Sequence, residues 1–270
     1  MSWLANKTIV LTGASHGIGR ALADALAMQG ANLVLNARSK PPLKEAKKTL
    51  EAGYKIKVAV VDGDAATARV ARACVEQAET LGGFAGIIHA AGVLHPGPHL
   101  WELDEKQYDD VTHASCKASW QLARAAYPAL MRQKDGGLYV LFGSGAASIA
   151  MPGIGLYCAA KAFEEHLMRQ LAAETDAVTC FVYQPGKVET RMQQQAREAT
   201  GGGGEAVRAT FTPWHERGEL LSAQASAVWL ARLLLGRSHA PGTATSCAWG
   251  RCETGDGLFG GNPSPKTFYW

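Results

Sequence analysis

Short, nearly continuous apolar runs alternate along this chain with longer stretches whose apolar positions recur every three or four residues. A strand buried on both faces needs apolar side chains throughout, whereas a helix lying on a sheet needs only one apolar stripe. The alternation therefore predicts βαβ units on a parallel sheet. Strands are expected at Thr8 to Leu11, Ala31 to Asn36, Lys57 to Val61, Gly86 to His89, Leu138 to Phe142, Thr179 to Tyr183 and, more faintly, Thr243 to Ala248. Helices are expected over 18–29, 42–52, 65–81, 104–133, 156–174 and 222–235. The fold class is thus α/β, a doubly wound, seven-stranded parallel sheet with helices on both faces. One domain is expected over 1–250, with a C-terminal extension over 251–270. Between about 189 and 217 the composition turns polar around the run Gly201 to Gly204, which predicts a mobile substrate lid.

Doubly wound sheets bind ligands beyond the carboxyl ends of their strands. In this chain those ends carry the chemistry. The first expected strand runs into a helix through Thr12-Gly13-Ala14-Ser15-His16-Gly17-Ile18-Gly19. Missing Cβ atoms let the backbone approach a pyrophosphate, whose charge meets N–H groups and the positive end of the following helix. Gly13, Ser15, His16, Gly17, Ile18 and Gly19 are therefore expected to bind a dinucleotide in a Rossmann-type site. After the second strand come Ala37, Arg38 and Ser39, with no carboxylate to receive a ribose 2′-hydroxyl. A guanidinium there matches a 2′-phosphate, so NADP(H) is expected, with Arg38 as chief discriminator and Ser39 and His16 as helpers. Asp62, followed by Gly63, closes the third strand and is expected beside the adenine. A helix N-cap would use the same carboxylate equally well.

Tyr157 and Lys161 are four residues apart and share one helix face just after Ser144, at the end of the fifth strand. A free tyrosine, with a pKa of about 10, is a poor proton shuttle at neutral pH, and a nearby ammonium favours its phenolate. Tyr157 is expected to exchange the proton, Lys161 to support it and hold the nicotinamide ribose, and Ser144 to hydrogen-bond the substrate carbonyl.

Composition changes little in this picture. With 270 residues, 47% of them hydrophobic, a full core is available, and a formal charge of +3 offers no support for nucleic acid or membrane partners. The absence of a long apolar run and of a leader pattern points to a cytoplasmic protein. Six cysteines without a CxxC pair are expected to be reduced thiols, Cys247 and Cys252 included, and no metal site is expected.

Together, Thr12 to Gly19, Asp62, His89-Ala90-Ala91-Gly92, Ser144, Tyr157, Lys161 and Pro185-Gly186-Lys187-Val188-Glu189-Thr190 resemble the ordered motifs of the short-chain dehydrogenase/reductase family, from about Lys7 to Gly236. The resemblance implies that Ala90, Ala91, Gly92, Pro185 and Gly186 line the cofactor, that the Val188 backbone and Thr190 meet its carboxamide, and that the chain is a homodimer or homotetramer. It also exposes two departures. His89-Ala90 replaces a pair of asparagines, and Ser115 stands where an asparagine completes the family's catalytic set, so Ser115 is expected to bind the relay water less well. A finer similarity, to sepiapterin reductase and benzil reductase-like enzymes, rests on Val188 to Gln193 and the segment after Glu216. Trp101, Met151, Phe211 and Trp214 would line an apolar pocket or belong to lid and core. The expected activity is NADPH-dependent reduction of a small ketone or dicarbonyl by hydride transfer. Two alternatives fit the same residues: an NADP(H)-binding regulatory protein with impaired catalysis, and a reductase of 3-oxoacyl thioesters or sugars.

Overall fold

A computed structural model describes residues 3–235 and the backbone of 266–269. Strands β1 (Thr8–Thr12), β2 (Asn32–Ala37), β3 (Val58–Asp62), β4 (Phe84–His89), β5 (Gly137–Phe142), β6 (Val178–Gln184) and β7 (Lys266–Tyr269) form one sheet in the order β3-β2-β1-β4-β5-β6-β7. The winding reverses between β1 and β4, which opens a crevice above their carboxyl ends. The first six strands lie within two residues of the expected stretches and run parallel. The seventh differs. Thr243 to Ala248 lies outside the described residues, and its place is taken by β7, antiparallel to β6 and drawn from the expected extension of the same chain.

Alternation along each strand divides the core in two. Ile9, Leu11, Leu33, Leu35, Val140 and Tyr183 face one layer, packing on Leu22 and Leu26 of α1 (Gly17–Met28), Leu43 and Leu50 of α2 (Lys40–Gly53), and Leu230 and Leu234 of α9 (Ala223–Leu235). Val10, Val34, Ile87, Tyr139, Leu141 and Val182 face the other layer. There they meet α3 (Ala68–Leu81), α5 (Ala118–Leu130) and α6 (Gly155–Glu174). Local chemistry sets the helix starts: Thr67 accepts from the Val70 amide ahead of α3, and Asp104 and Gln107 cap each other's amides ahead of α4 (Glu105–Thr112).

Two stretches depart from the sequence expectation. The helix expected over 104–133 is α4 and α5 joined by a single π turn, His113–Lys117, an insertion that shifts the helix face by a residue where it passes the crevice. The stretch 189–217 is mostly helical, as α7 (Arg191–Arg197) and α8 (Gly204–Glu216), rather than an open loop. Its glycine run is docked: Gly203 N–H donates to Gly97 O, and Gly97 N–H to Gly153 O, each at 2.7 Å.

One buried hydroxyl ties the first of the two core layers to the crevice. Tyr183 Oη donates to the Ser226 carbonyl at 2.7 Å, and Ser226 Oγ donates to Pro185 O at 3.0 Å, joining β6 and α9 to the turn at Pro185-Gly186. Removing that donor by Tyr183→Phe is expected to lower unfolding stability by about 1–2 kcal/mol in urea titrations. An unchanged urea midpoint would show that the hydroxyl contributes nothing to this junction.

Among the described residues no helix is long and apolar enough to cross a membrane, no cluster of metal-ligating side chains occurs, and Cys74, Cys116, Cys158 and Cys180 are free thiols. Cys247 and Cys252 lie outside the described residues.

Candidate active site

β5 ends at Phe142, and Ser144 caps a short turn over Gly145–Ser148, its Oγ accepting from the Ala146 amide at 3.2 Å. An oxygen that accepts this bond still has its own proton to donate. Tyr157 lies in the first turn of α6 and Lys161 one turn on, with Nζ 5.6 Å from the centroid of the Tyr157 ring. The packing that joins these parts is apolar. Ala146, beside Ser144, belongs with Leu94, Ile154, Cys158 and Val207 to a small cluster against which Tyr157, Met151, Met192 and Phe211 pack.

Lys161 is only 3% exposed, and its ammonium is held at two points. Nζ donates to the Phe142 carbonyl at 2.7 Å and to Glu164 Oε2 at 2.6 Å, so the end of β5 fixes the position of a side chain from α6. Burial pulls the Lys161 pKa down, but the Glu164 carboxylate and then Tyr157 outweigh it, and the ammonium is held above its ordinary range. Glu164 is raised, burial prevailing over the opposing pull of Lys161. The sequence reasoning missed Glu164, although a carboxylate three residues after Lys161 on the same helix is the signal that would have found it.

Ser115 lies fully buried in the π turn, and its Oγ has no hydrogen-bond partner among the described residues. Its neighbour Ala114 is engaged, because His89 Nε2 contacts the Ala114 carbonyl at 2.9 Å. A carbonyl only accepts, so Nε2 carries the proton and Nδ1 accepts from the Thr12 hydroxyl at 2.7 Å. Thr12 Oγ1 accepts in turn from the Ala91 amide at 3.4 Å. His89 thus joins the ends of β1 and β4 to the π turn. Burial, followed by repulsion from Lys161, lowers its pKa to about 3 against the opposing Ala114 bond, which keeps the ring neutral. The sequence marked His89 only as a departure from a pattern and did not show this role.

At the other end of the crevice the glycine loop fits a dinucleotide. A Cβ on Gly13 would lie 2.8 Å from the Ala90 carbonyl carbon, and one on Gly19 would strike the Gly13 carbonyl, so the loops after β1 and β4 touch backbone to backbone. Gly17 has φ +58°, and the side where a Cβ would stand meets only the Thr190 methyl at 3.8 Å. The N-terminus of α1 therefore faces open space, as a pyrophosphate requires. Ile18 packs on the core behind the loop, while His16 is exposed and shares a 2.8 Å bond with Ser15. Arg38 projects from the end of β2 with Nη1 3.7 Å from Asp110 Oδ1, and Ser39 heads α2 without a side-chain capping bond. Lys40, which the sequence reasoning did not single out, places Nζ 2.9 Å from Asp62 Oδ1 and holds that carboxyl below its usual range. Thr67, not Asp62, caps α3, and Asp62 stands at the end of β3 paired with Lys40. Gly63 donates to the Ala37 carbonyl at 3.0 Å, keeping the ends of β2 and β3 together.

The remaining expected contacts border the same crevice. A Cβ on Gly92 would lie 3.9 Å from both Lys161 Nζ and Met192 Cε, which puts the loop after β4 between the lysine and α7. Val188 forms a bridge with Leu221 that uses the Lys187 carbonyl and the Glu189 amide, so the peptide groups of Val188 itself point the other way. Thr190 caps α7 through its side chain, accepting from the Gln193 amide. Of the four residues expected to wall the pocket, Met151 and Phe211 pack with Tyr157, and Trp214 rests on Phe211 with centroids 4.8 Å apart. Trp101 is 80% exposed and stacks on His99, away from this cluster.

The chain matches the family model for short chain dehydrogenase over residues 7–201. Oxidoreductase UcpA of Salmonella typhimurium is 31% identical over 213 residues, 77% of this chain and 79% of that protein. Inactive hydroxysteroid dehydrogenase-like protein 1 of Pongo abelii is 26% identical over 174 residues, 64% of this chain and only 52% of its own length. Among solved structures, an alcohol dehydrogenase from the archaeon Thermococcus sibiricus, complexed with 5-hydroxy-NADP, superposes with a TM-score of 0.71 at 26% identity, covering 84% of this chain and 90% of that one.

Proposed function

This chain belongs to the short-chain dehydrogenase family of oxidoreductases, and we propose that it is an NADPH-dependent reductase of a neutral ketone or dicarbonyl, in which Tyr157 gives the proton. The observation that carries this reading is the buried ammonium of Lys161, fixed by the Phe142 carbonyl and 5.6 Å from the Tyr157 ring. The nicotinamide, when bound, supplies the hydride. Ser144 donates to the substrate carbonyl as negative charge builds on its oxygen, and Tyr157 then protonates that oxygen. Lys161 has one N–H left for a ribose hydroxyl after its two protein bonds. Leu94, Ile154, Met192 and Phe211 keep water from this corner.

The lid supports a neutral substrate over an anionic one. Of its four arginines, Arg197 is bound by Glu189 through both nitrogens, Arg217 is bound by Glu219 and Arg208 donates to the Ala199 carbonyl, which leaves Arg191, exposed at the start of α7, as the one without such a bond among the described residues. Cations engaged in this way offer little to a thioester phosphate. A protein that binds cofactor without turnover is the second reading, favoured by the partnerless hydroxyl of Ser115.

Oxidation of NADPH by purified protein across aromatic diketones, aliphatic diketones and acyl-thioester ketones, beside a Tyr157→Phe control, separates these readings. Turnover of a neutral carbonyl that disappears in the control is the expected result. Tight NADPH binding with no carbonyl reduced above the control would replace the reductase with the second reading. Cofactor choice has its own test. Arg38 faces Asp110 at 3.7 Å and Lys40, at the same edge, faces Asp62 at 2.9 Å; both pairs are solvent-exposed, where a 2′-phosphate can compete with a carboxylate for the cation. Arg38→Asp is expected to lower the NADPH/NADH ratio of kcat/KM by about 10²-fold, the loss of a charge-assisted contact plus a new repulsion. A ratio unchanged within threefold would remove Arg38 as the discriminator.

A further inference from the structure

The Lys161 ammonium is held directly by two groups, the neutral Phe142 carbonyl and the Glu164 carboxylate. Glu164 on α6 is fully buried and accepts from the ammonium through Oε2 at 2.6 Å, while its Oε1 has no hydrogen-bond partner among the described residues and lies 3.7 Å from His89 Nε2. From β4, His89 faces the pair as a neutral ring, and from β5 Tyr139 gives its hydroxyl to the Ser119 carbonyl. From the π turn, Cys116 is a thiol whose pKa burial pushes up to about 11. Glu165, next on α6, is half-buried and bonded by Gln184. The Glu164 carboxylate is therefore the one anion in direct contact with Lys161 among the described residues.

A carboxylate in such a place needs an explanation, because burying an ion pair costs about as much as it returns and an apolar side chain of the same volume would pack as well. Without Glu164, however, the ammonium would keep only the Phe142 carbonyl as a partner, and an isolated buried lysine loses its proton readily. We propose that Glu164 is a positioning residue that keeps Lys161 protonated and aimed at Tyr157 while the site is closed to water. The role in turnover rests on the reductase reading, whereas the effect on the lysine does not. With Glu164 present, Lys161 stays charged across the working pH range and its head cannot swing away from Phe142. With Glu164 neutralised, Lys161 titrates within that range, and the support of Tyr157 is lost as pH rises.

Two readouts test this on the full chain. The first is the 13Cε resonance of Lys161 in protein labelled at lysine, assigned by its disappearance in Lys161→Met and followed with pH. The second is the pH profile of kcat for the best carbonyl substrate. In Glu164→Gln the lysine midpoint is expected to fall by about 2 pH units or more. The alkaline limb of kcat should move the same way, leaving the variant about tenfold slower than wild type at pH 8 and closer to it at pH 6. A lower melting temperature with both readouts unmoved would mean that Glu164 is structural only, and overturns the proposal. Glu164→Met, similar in volume and without a polar group to bury, is judged by the same readouts if the amide is not tolerated. The two ideas fail separately. Wild-type protein that reduces no carbonyl, with Lys161 still titrating lower in Glu164→Gln, removes the reductase and leaves the charge assignment. An active wild type whose lysine and pH profile ignore Glu164→Gln removes Glu164 alone.

Discussion

Tyr157→Phe is expected to lower kcat for carbonyl reduction by about 10²–10⁴-fold, the usual contribution of a positioned proton donor. The substitution deletes one oxygen and keeps the ring that packs against Met151, Met192 and Phe211, so the apolar corner stays filled. Lys161 keeps both of its own partners, Phe142 O and Glu164 Oε2, and its grip on the cofactor should persist. The loss should therefore fall on kcat, while NADPH affinity measured by fluorescence changes less than about threefold. A variant that retains more than a third of wild-type kcat would show that the proton comes from elsewhere and would remove Tyr157 from the chemistry.

The second large effect concerns stability and comes from His89. Its pKa is lowered from 6.5 to about 3 in the folded chain, chiefly by burial. Below pH 6.5 the unfolded chain binds a proton that the folded chain refuses, so His89 leaves stability intact above that pH and erodes it as pH falls toward 3. The slope is about 1.4 kcal/mol per pH unit for one proton. In His89→Asn this component should vanish. Urea unfolding between pH 4 and 7 is expected to show a stability that declines less steeply with acid than in wild type, by close to one proton. Parallel slopes would mean that the buried ring accepts a proton in the folded state, contrary to its bonds with Thr12 and Ala114. A neutral ring also has a local consequence, since a protonated His89 would add a second positive charge beside Lys161.

The glycine loop, Ser144, Tyr157 and Lys161 were legible because each is a local pattern placed just after a strand, and the sheet order brings those strand ends together. Six strands were legible for the same reason, their apolar runs being buried on both faces. Residues that act across elements were not. Glu164 reads as one more charge on an amphipathic helix until α6 packs against β5 and the π turn, and Thr12 reads as strand until His89 points at it. The π turn itself carries no composition cue, since one inserted residue changes only which side chains share a face. The helices α7 and α8 were hidden by glycine and polar content, and what holds them is tertiary: Ala196 and Val207 are fully buried against Leu94 and Ile154. The edge strand β7 was missed because its four residues are too few to show a strand period and follow a stretch rich in glycine and proline.

The glycine contact at the rim of the crevice limits how this protein can be changed. Gly97, Gly153 and Gly203 are joined backbone to backbone, Glu102 caps Gly202 from below, and a side chain on Gly97 or Gly203 would collide with main chain. Loops that follow β4 and β5 are thereby riveted to the start of α8, and any opening must carry the three together or break two hydrogen bonds at once. A redesign of substrate range would leave this rivet alone. The inward positions of α7 and α8, at Met192, Val207 and Phe211, are where side-chain volume can be exchanged without unfastening the rim.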